Sequence, residues 1–169
     1  MRSWAVLLVC ALAAAQTPRP SAIEEWPAYG GDAGESHYSR LGQINRTNVH
    51  SLRPAWEWRT GETPMPAAGT TPGAFEATPL MIGGVLYLST PYNRVVALDC
   101  ETGRELWSFD PKAYEDGPVP NGTGFVHRGV AAWRDSKTGR LRIFMNSRYR
   151  LISLDAATGR PGTSATTGW

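Results

Sequence analysis

Few residues in this 169-residue chain have the types and spacing that chemistry requires, and they fall in two short runs. Phe75-Glu76-Ala77-Thr78-Pro79 carries a lone carboxylate, and Val126-His127-Arg128-Gly129-Val130 sets an imidazole and a guanidinium beside a glycine. A guanidinium fork holds carboxylate or carbonyl oxygens at two points at once. Glycine lets the backbone come close to a neighbour. By position alone Glu76 reads as a strand-edge carboxylate in solvent and Arg128 as a surface cation. His127 either lines a pocket with Arg128 or is a packed or solvent-facing ring. His37 and His50 have no partner at metal-ligand spacing. No residue reads as a general base, and no group reads as a metal site. The 17 basic and 15 acidic residues are spread without long runs, which gives nucleic-acid binding no support.

The element that must position Glu76 runs from Phe75 to Trp107. Four short runs rich in Val, Leu, Tyr and Thr, Glu76–Ile82, Val85–Thr90, Arg94–Leu98 and Arg104–Phe109, are divided by turn-forming residues. This spacing predicts a four-stranded antiparallel meander, with Gly83-Gly84 as a two-residue hairpin. Its last turn, Ala97-x-Asp99-x-x-Thr102-Gly103-x-x-x-Trp107, places Asp99 and Thr102 where they bond turn amides and Gly103 at a left-handed position. Trp107 then has more surface than a lone meander buries, so it requires a neighbouring sheet.

A second copy supplies that neighbour. Leu151-Ile152-Ser153-Leu154-Asp155-Ala156-Ala157-Thr158-Gly159-Arg160 repeats Val95–Arg104, and Asp155 follows Asp99 by the same 56 residues that separate Gly159 from Gly103. A four-stranded unit repeated at such a period means radially stacked sheets, a β-propeller. Phe125–Trp133 opens the second unit, Leu141–Ser147 and Arg150–Asp155 continue it, and Lys137-Thr138-Gly139-Arg140 forms a hairpin turn.

Ahead of the repeats, residues 1–15 read as a signal peptide, with Arg2, an apolar run Trp4–Leu12 and small residues at Ala11, Ala13 and Ala15. The apolar run is too short to span a bilayer, which takes about 20 residues. With the leader removed, Cys100 is the sole cysteine, so no internal disulfide is expected. Residues 16–62 form an N-terminal segment with a short helical turn over Asn48–Leu52, capped by Thr47, and a closure strand at Ala55–Arg59. Thr60–Ala74 and Asp110–Gly124 are loops. Residues 63–169 hold the first blade and an incomplete second one. Asn45-Arg46-Thr47 and Asn121-Gly122-Thr123 match the glycosylation sequon, a match common by chance.

Trp26-x-x-Tyr29-Gly30, Ile44-Asn45-x-x-Asn48-Val49-x-x-Leu52-x-x-Ala55-Trp56, Phe75-Glu76-Ala77-Thr78-Pro79, Ala97-Leu98-Asp99-x-x-Thr102-Gly103 and Arg128-Gly129-Val130 occur in one order. In that order they resemble the quinoprotein dehydrogenases, which use pyrroloquinoline quinone (PQQ) in an eight-bladed propeller, and most of all the glucose dehydrogenase type. The resemblance runs from Trp26 to about Arg160. It implies an all-β fold of which this chain holds the N-terminal segment and the first two blades, the second incomplete. It implies cofactor contact by Glu76 and Arg128, with Glu76 accepting from a ring N–H or sharing a proton beside the anionic quinone.

The resemblance also implies calcium and a general base, both expected beyond this chain. The expected substrate is a sugar or alcohol, the electron acceptor ubiquinone or cytochrome c, and the location periplasmic or secreted. Alcohol- and methanol-oxidising members carry adjacent cysteines just before the arginine. Gly124-Phe125-Val126-His127 has none, which leans toward the sugar-oxidising branch. The tail departs from the repeat, since Trp107 follows Gly103 by four residues but Trp169 follows Gly159 by ten. The chain is therefore expected to stop inside the second blade and to be inactive alone. The competing reading is a non-catalytic propeller scaffold of the cell envelope, which has no reason to carry both Glu76 and Arg128.

Overall fold

The computed structural model describes residues 25–120, 122 and 124–162. The expected leader, the second sequon's Asn121 and Thr123, and the tail beyond Gly162 lie outside them. Two antiparallel sheets follow each other along the chain. The first is the meander β1 (Leu80–Ile82), β2 (Val85–Ser89), β3 (Val95–Asp99) and β4 (Glu105–Phe109), paired in that order. The second is β5 (Ala131–Arg134), β6 (Leu141–Ser147) and β7 (Arg150–Asp155). Among the described residues a fourth strand is begun by the Leu154–Pro161 bridge and the Gly162 N–H bonded to the Ser153 carbonyl at 2.9 Å. Among the described residues no helix is long and apolar enough to cross a membrane.

Alternation along β3 explains the stacking. Val95 and Ala97 face the second sheet, where they join Ile82 and Tyr87 in one cluster with Ile143, Met145, Ile152 and Leu154. Val96 and Leu98 point the other way, with Leu88, onto Trp56 and Trp58. These four of the five β3 residues are essentially inaccessible to solvent, as expected of a strand covered on both faces.

Trp107 lands where the repeat required it. Its Nε1–H donates to the Ala156 carbonyl at 2.9 Å, and its ring lies flat over Gly159. Trp56 treats the preceding turn identically, donating to the Cys100 carbonyl at 3.1 Å and covering Gly103. Cys100 and Ala156 are the same position of the repeat. Gly103 and Gly159 have φ of +70° and +68°, and a Cβ at Gly159 would sit 2.5 Å from the indole. Backbone conformation and ring contact thus both demand glycine.

The expected elements shift in four places. The first strand begins at Leu80 instead of Glu76, because the Thr78 N–H bonds the Arg128 carbonyl at 2.9 Å rather than β2. Thr78 pairs in parallel with Gly129, and Pro79 has no N–H to give. Phe125–Trp133 likewise becomes a strand only from Ala131. Ala55–Arg59, read as a strand, has no ladder partner among the described residues; Trp56 and Trp58 hold it by packing and by the Trp56 bond to the Cys100 carbonyl. The helical turn shrinks to a 3-10 turn, Val49–Ser51, with Asn48 at its N-cap. Thr47 does not cap it: its hydroxyl donates to Asn45 Oδ1 at 2.6 Å.

Candidate functional site

The two residues singled out by the sequence meet. Arg128 Nη2 lies 3.3 Å from Glu76 Oε2, although 52 residues of chain separate them. They stand just ahead of β5 and β1 rather than on those strands. What brings them together is the parallel contact between Thr78 and Gly129. Gly129 has φ +140°, and a Cβ there would be 2.8 Å from the Thr78 carbonyl oxygen, so a side chain would push the two segments apart. Arg128 is 82% exposed and Glu76 41%, so the pair contributes little to stability. Such an open guanidinium keeps most of its donors available for a ligand.

Beside the pair opens a cleft of about 600 Å³. Arg128 and His127 line it with Tyr29, Val126, Phe144 and Asn146. Its walls thus join apolar and aromatic surface with one cation, a setting for a flat, anionic ring system. Among the described residues no three His, Cys, Asp or Glu side chains are grouped to hold a metal ion.

His127 resolves into both of its open readings, since it lines the cleft and is packed between the sheets. Its Nδ1 accepts the Gly129 N–H at 3.2 Å and lies 3.2 Å from Ser89 Oγ on β2. Its Nε2 is 3.0 Å from the Asn146 carbonyl and 3.2 Å from Asn146 Oδ1 on β6. A backbone amide only donates, so Nδ1 is the bare nitrogen and Nε2 carries the hydrogen.

A buried carboxylate that sequence reasoning missed stands behind Ser89. Glu62 is only 6% exposed and pairs with Arg94 Nε at 2.9 Å. It also accepts from Thr90 Oγ1 at 2.5 Å and from the Tyr92 N–H at 3.0 Å, while Arg94 Nη2 reaches the Thr60 carbonyl at 2.7 Å. This clasp fixes the loop ahead of the meander to the β2–β3 turn. Its partners sit about 30 residues away in sequence, so no local spacing announces it.

The turns carry the clearest electrostatics. Asp99 is held more acidic than an ordinary aspartate, first by the Thr102 hydroxyl and then by the Thr102 N–H. Asp155 is shifted the same way, chiefly by Arg140, whose Nη2 is 2.9 Å away. Asp135-Ser136-Lys137-Thr138-Gly139-Arg140 builds a third turn of the same kind. There Asp135 accepts from the Lys137 and Thr138 amides, and Gly139 has φ +70°.

The family profile described as "PQQ: Glucose/ethanol/alcohol dehydrogenase, beta-propeller domain" matches residues 26–166. The chain is 36% identical over 154 residues to the quinohemoprotein alcohol dehydrogenase of Comamonas testosteroni, across 87% of this chain and 18% of that protein. It is 42% identical over 100 residues to the quinoprotein glucose dehydrogenase of Escherichia coli, across 58% of this chain and 12% of that one. The crystal structure of the Comamonas enzyme superposes with a TM-score of 0.62 at 33% identity, covering 82% of this chain and 18% of that one. The chain therefore spans about a fifth of the length of such relatives. Repeat, stacked sheets and matched profile place it in the PQQ-dependent glucose/ethanol/alcohol dehydrogenase family, as an N-terminal part of its β-propeller.

Proposed function

We propose that this chain supplies the N-terminal segment and first blades of a PQQ-dependent dehydrogenase that oxidises a sugar or an alcohol. Electrons pass to a ubiquinone or cytochrome c acceptor, and the protein works in the periplasm or outside the cell. The observation that carries the reading is the meeting of Glu76 and Arg128, from segments feeding successive blades, at the edge of an open cleft. When bound, the quinone supplies the two-electron acceptor for oxidation of a CH–OH group.

This chain's residues fit such a guest. Arg128 offers a two-pronged donor to a carboxylate or an ortho-carbonyl pair. Glu76 neutralises part of that cation and presents a carboxylate to a ring N–H. Phe144 and Val126 give one side of the cleft an apolar wall against which a ring can lie. No side chain here is assigned as general base, and calcium ligands are expected in the rest of the propeller. Relatives of both substrate classes are similar to the chain. The sugar-oxidising preference rests on Gly124-Phe125-Val126-His127 having no cysteines.

The test is reconstitution of the complete protein with quinone and calcium, then dye reduction with aldoses and alcohols. Quinone-dependent turnover is expected, with aldoses preferred. Arg128→Ala should weaken quinone binding by about one to two orders of magnitude, the scale of hydrogen bonds to a charged group. Dye reduction independent of quinone, or unchanged quinone affinity in that variant, would refute the assignment.

A further inference from the structure

His127 belongs to no motif on which the family assignment rests, yet its ring meets both sheets, through Ser89 on β2 and Asn146 on β6. We infer that His127 is a positioning residue: as a neutral ring with hydrogen on Nε2, it sets the Arg128–Gly129 backbone, and hence the guanidinium, for quinone binding. The inference rests on the proposed role of Arg128.

The contacts divide the ring's two nitrogens cleanly. The Nδ1 lone pair takes the amide of Gly129, two residues on, and Nδ1 lies 3.2 Å from the hydroxyl oxygen of fully buried Ser89. That closes a small ring of the kind Asn makes in an Asx turn, where a side-chain oxygen accepts from the amide two residues later. The Nε2–H anchors the far side of the ring to Asn146. The Arg128 carbonyl is meanwhile held by the Thr78 amide at 2.9 Å. Both ends of the peptide group that follows the Arg128 Cα are thereby fixed, its C=O by the first blade and its N–H by the imidazole. A guanidinium that is itself 82% exposed gains its direction from that fixed root, not from packing of its own.

Two substitutions separate the nitrogens. Asn places an acceptor where Nδ1 sits and restores the turn to Gly129, but does not reach Asn146. Gln reaches toward Asn146 as Nε2 does, but loses the short turn. Quinone affinity of the complete apo-protein, read by quenching of tryptophan fluorescence on titration with PQQ, is the measurement. His127→Gln is expected to raise the dissociation constant about tenfold, the scale of one lost hydrogen bond, and His127→Asn by no more than about twofold. Thermal midpoints of the two variants should agree with each other, because both lose one anchor of the ring.

Equal quinone affinity in the Asn and Gln variants, whether intact or impaired, would overturn the positioning role while leaving the family assignment standing. Failure of the unsubstituted apo-protein to take up quinone would overturn the proposed quinone site, and the role of His127 with it.

Discussion

The stacking of the two sheets is open to a double-mutant cycle on Trp107 and Gly159. Trp107→Ala removes a half-buried indole and the bond to the Ala156 carbonyl, which keeps only the longer contact from the Tyr87 hydroxyl at 3.3 Å. Large-to-small changes of this type cost 3–5 kcal/mol when buried, so partial exposure sets the expectation at about 3 kcal/mol. Gly159→Ala acts twice. An alanine at φ +68° costs about 1 kcal/mol, and its Cβ, 2.5 Å from Trp107 Cε3, forces the ring aside at about 2 kcal/mol. Independent sites would give about 6 kcal/mol for the double variant. The steric share disappears when the indole is gone, so about 4 kcal/mol is expected, a coupling of about 2 kcal/mol. Equilibrium urea denaturation of the four proteins measures it. Strict additivity would mean that Trp107 does not sit on Gly159, and the radial stacking derived from the 56-residue repeat would lose its physical basis.

Other outcomes follow from the same contacts. Glu62→Ala leaves Arg94 partly buried without its carboxylate and should cost about 3 kcal/mol or more in denaturant titrations, whereas Glu57→Ala, from an exposed pair, should cost less than about 0.5 kcal/mol. Gly129→Ala should separate Thr78 from Gly129 and weaken PQQ binding at least tenfold in fluorescence titration, because its Cβ would stand 2.8 Å from a carbonyl oxygen. Asp99 and Asp155 are more acidic in the fold than in the unfolded chain. Their contribution is complete above the unfolded value near 3.8 and is lost as pH falls through the lower folded values. Thermal midpoints should therefore drop below about pH 4, and Asp99→Asn should flatten that acid limb.

Much of this architecture is legible because it is periodic. The turn Asp99–Gly103 recurs at Asp155–Gly159 with its spacing intact, and each Trp contact follows from one ring too large for one sheet. The same turn at Asp135–Gly139 was readable only as a hairpin, since no tryptophan is placed to cover it. Ala55–Arg59 joins no ladder among the described residues, since alternation of Trp56 and Trp58 signals one buried face and does not name a partner strand. Glu62 was illegible for the opposite reason. A lone acid in a Gly- and Pro-rich loop resembles any solvated loop residue until the fold brings Thr90, Tyr92 and Arg94 around it.

The meeting of Glu76 and Arg128 shows why a site of this kind is divided between blades. Each lies just before the first strand of its own sheet, and the segments leading into those strands run parallel where Thr78 meets Gly129, so the two residues come to one level. Neither sheet alone holds both charges. The register between the sheets is set by the Thr78–Gly129 contact, by Trp107 on Gly159 and by His127 between Ser89 and Asn146. A side chain at position 129 would push the two segments apart and carry Arg128 away from Glu76. The glycines at 129 and 159 and the ring at 127 therefore constrain the site as strongly as the charged pair does, although none of the three needs to touch a substrate.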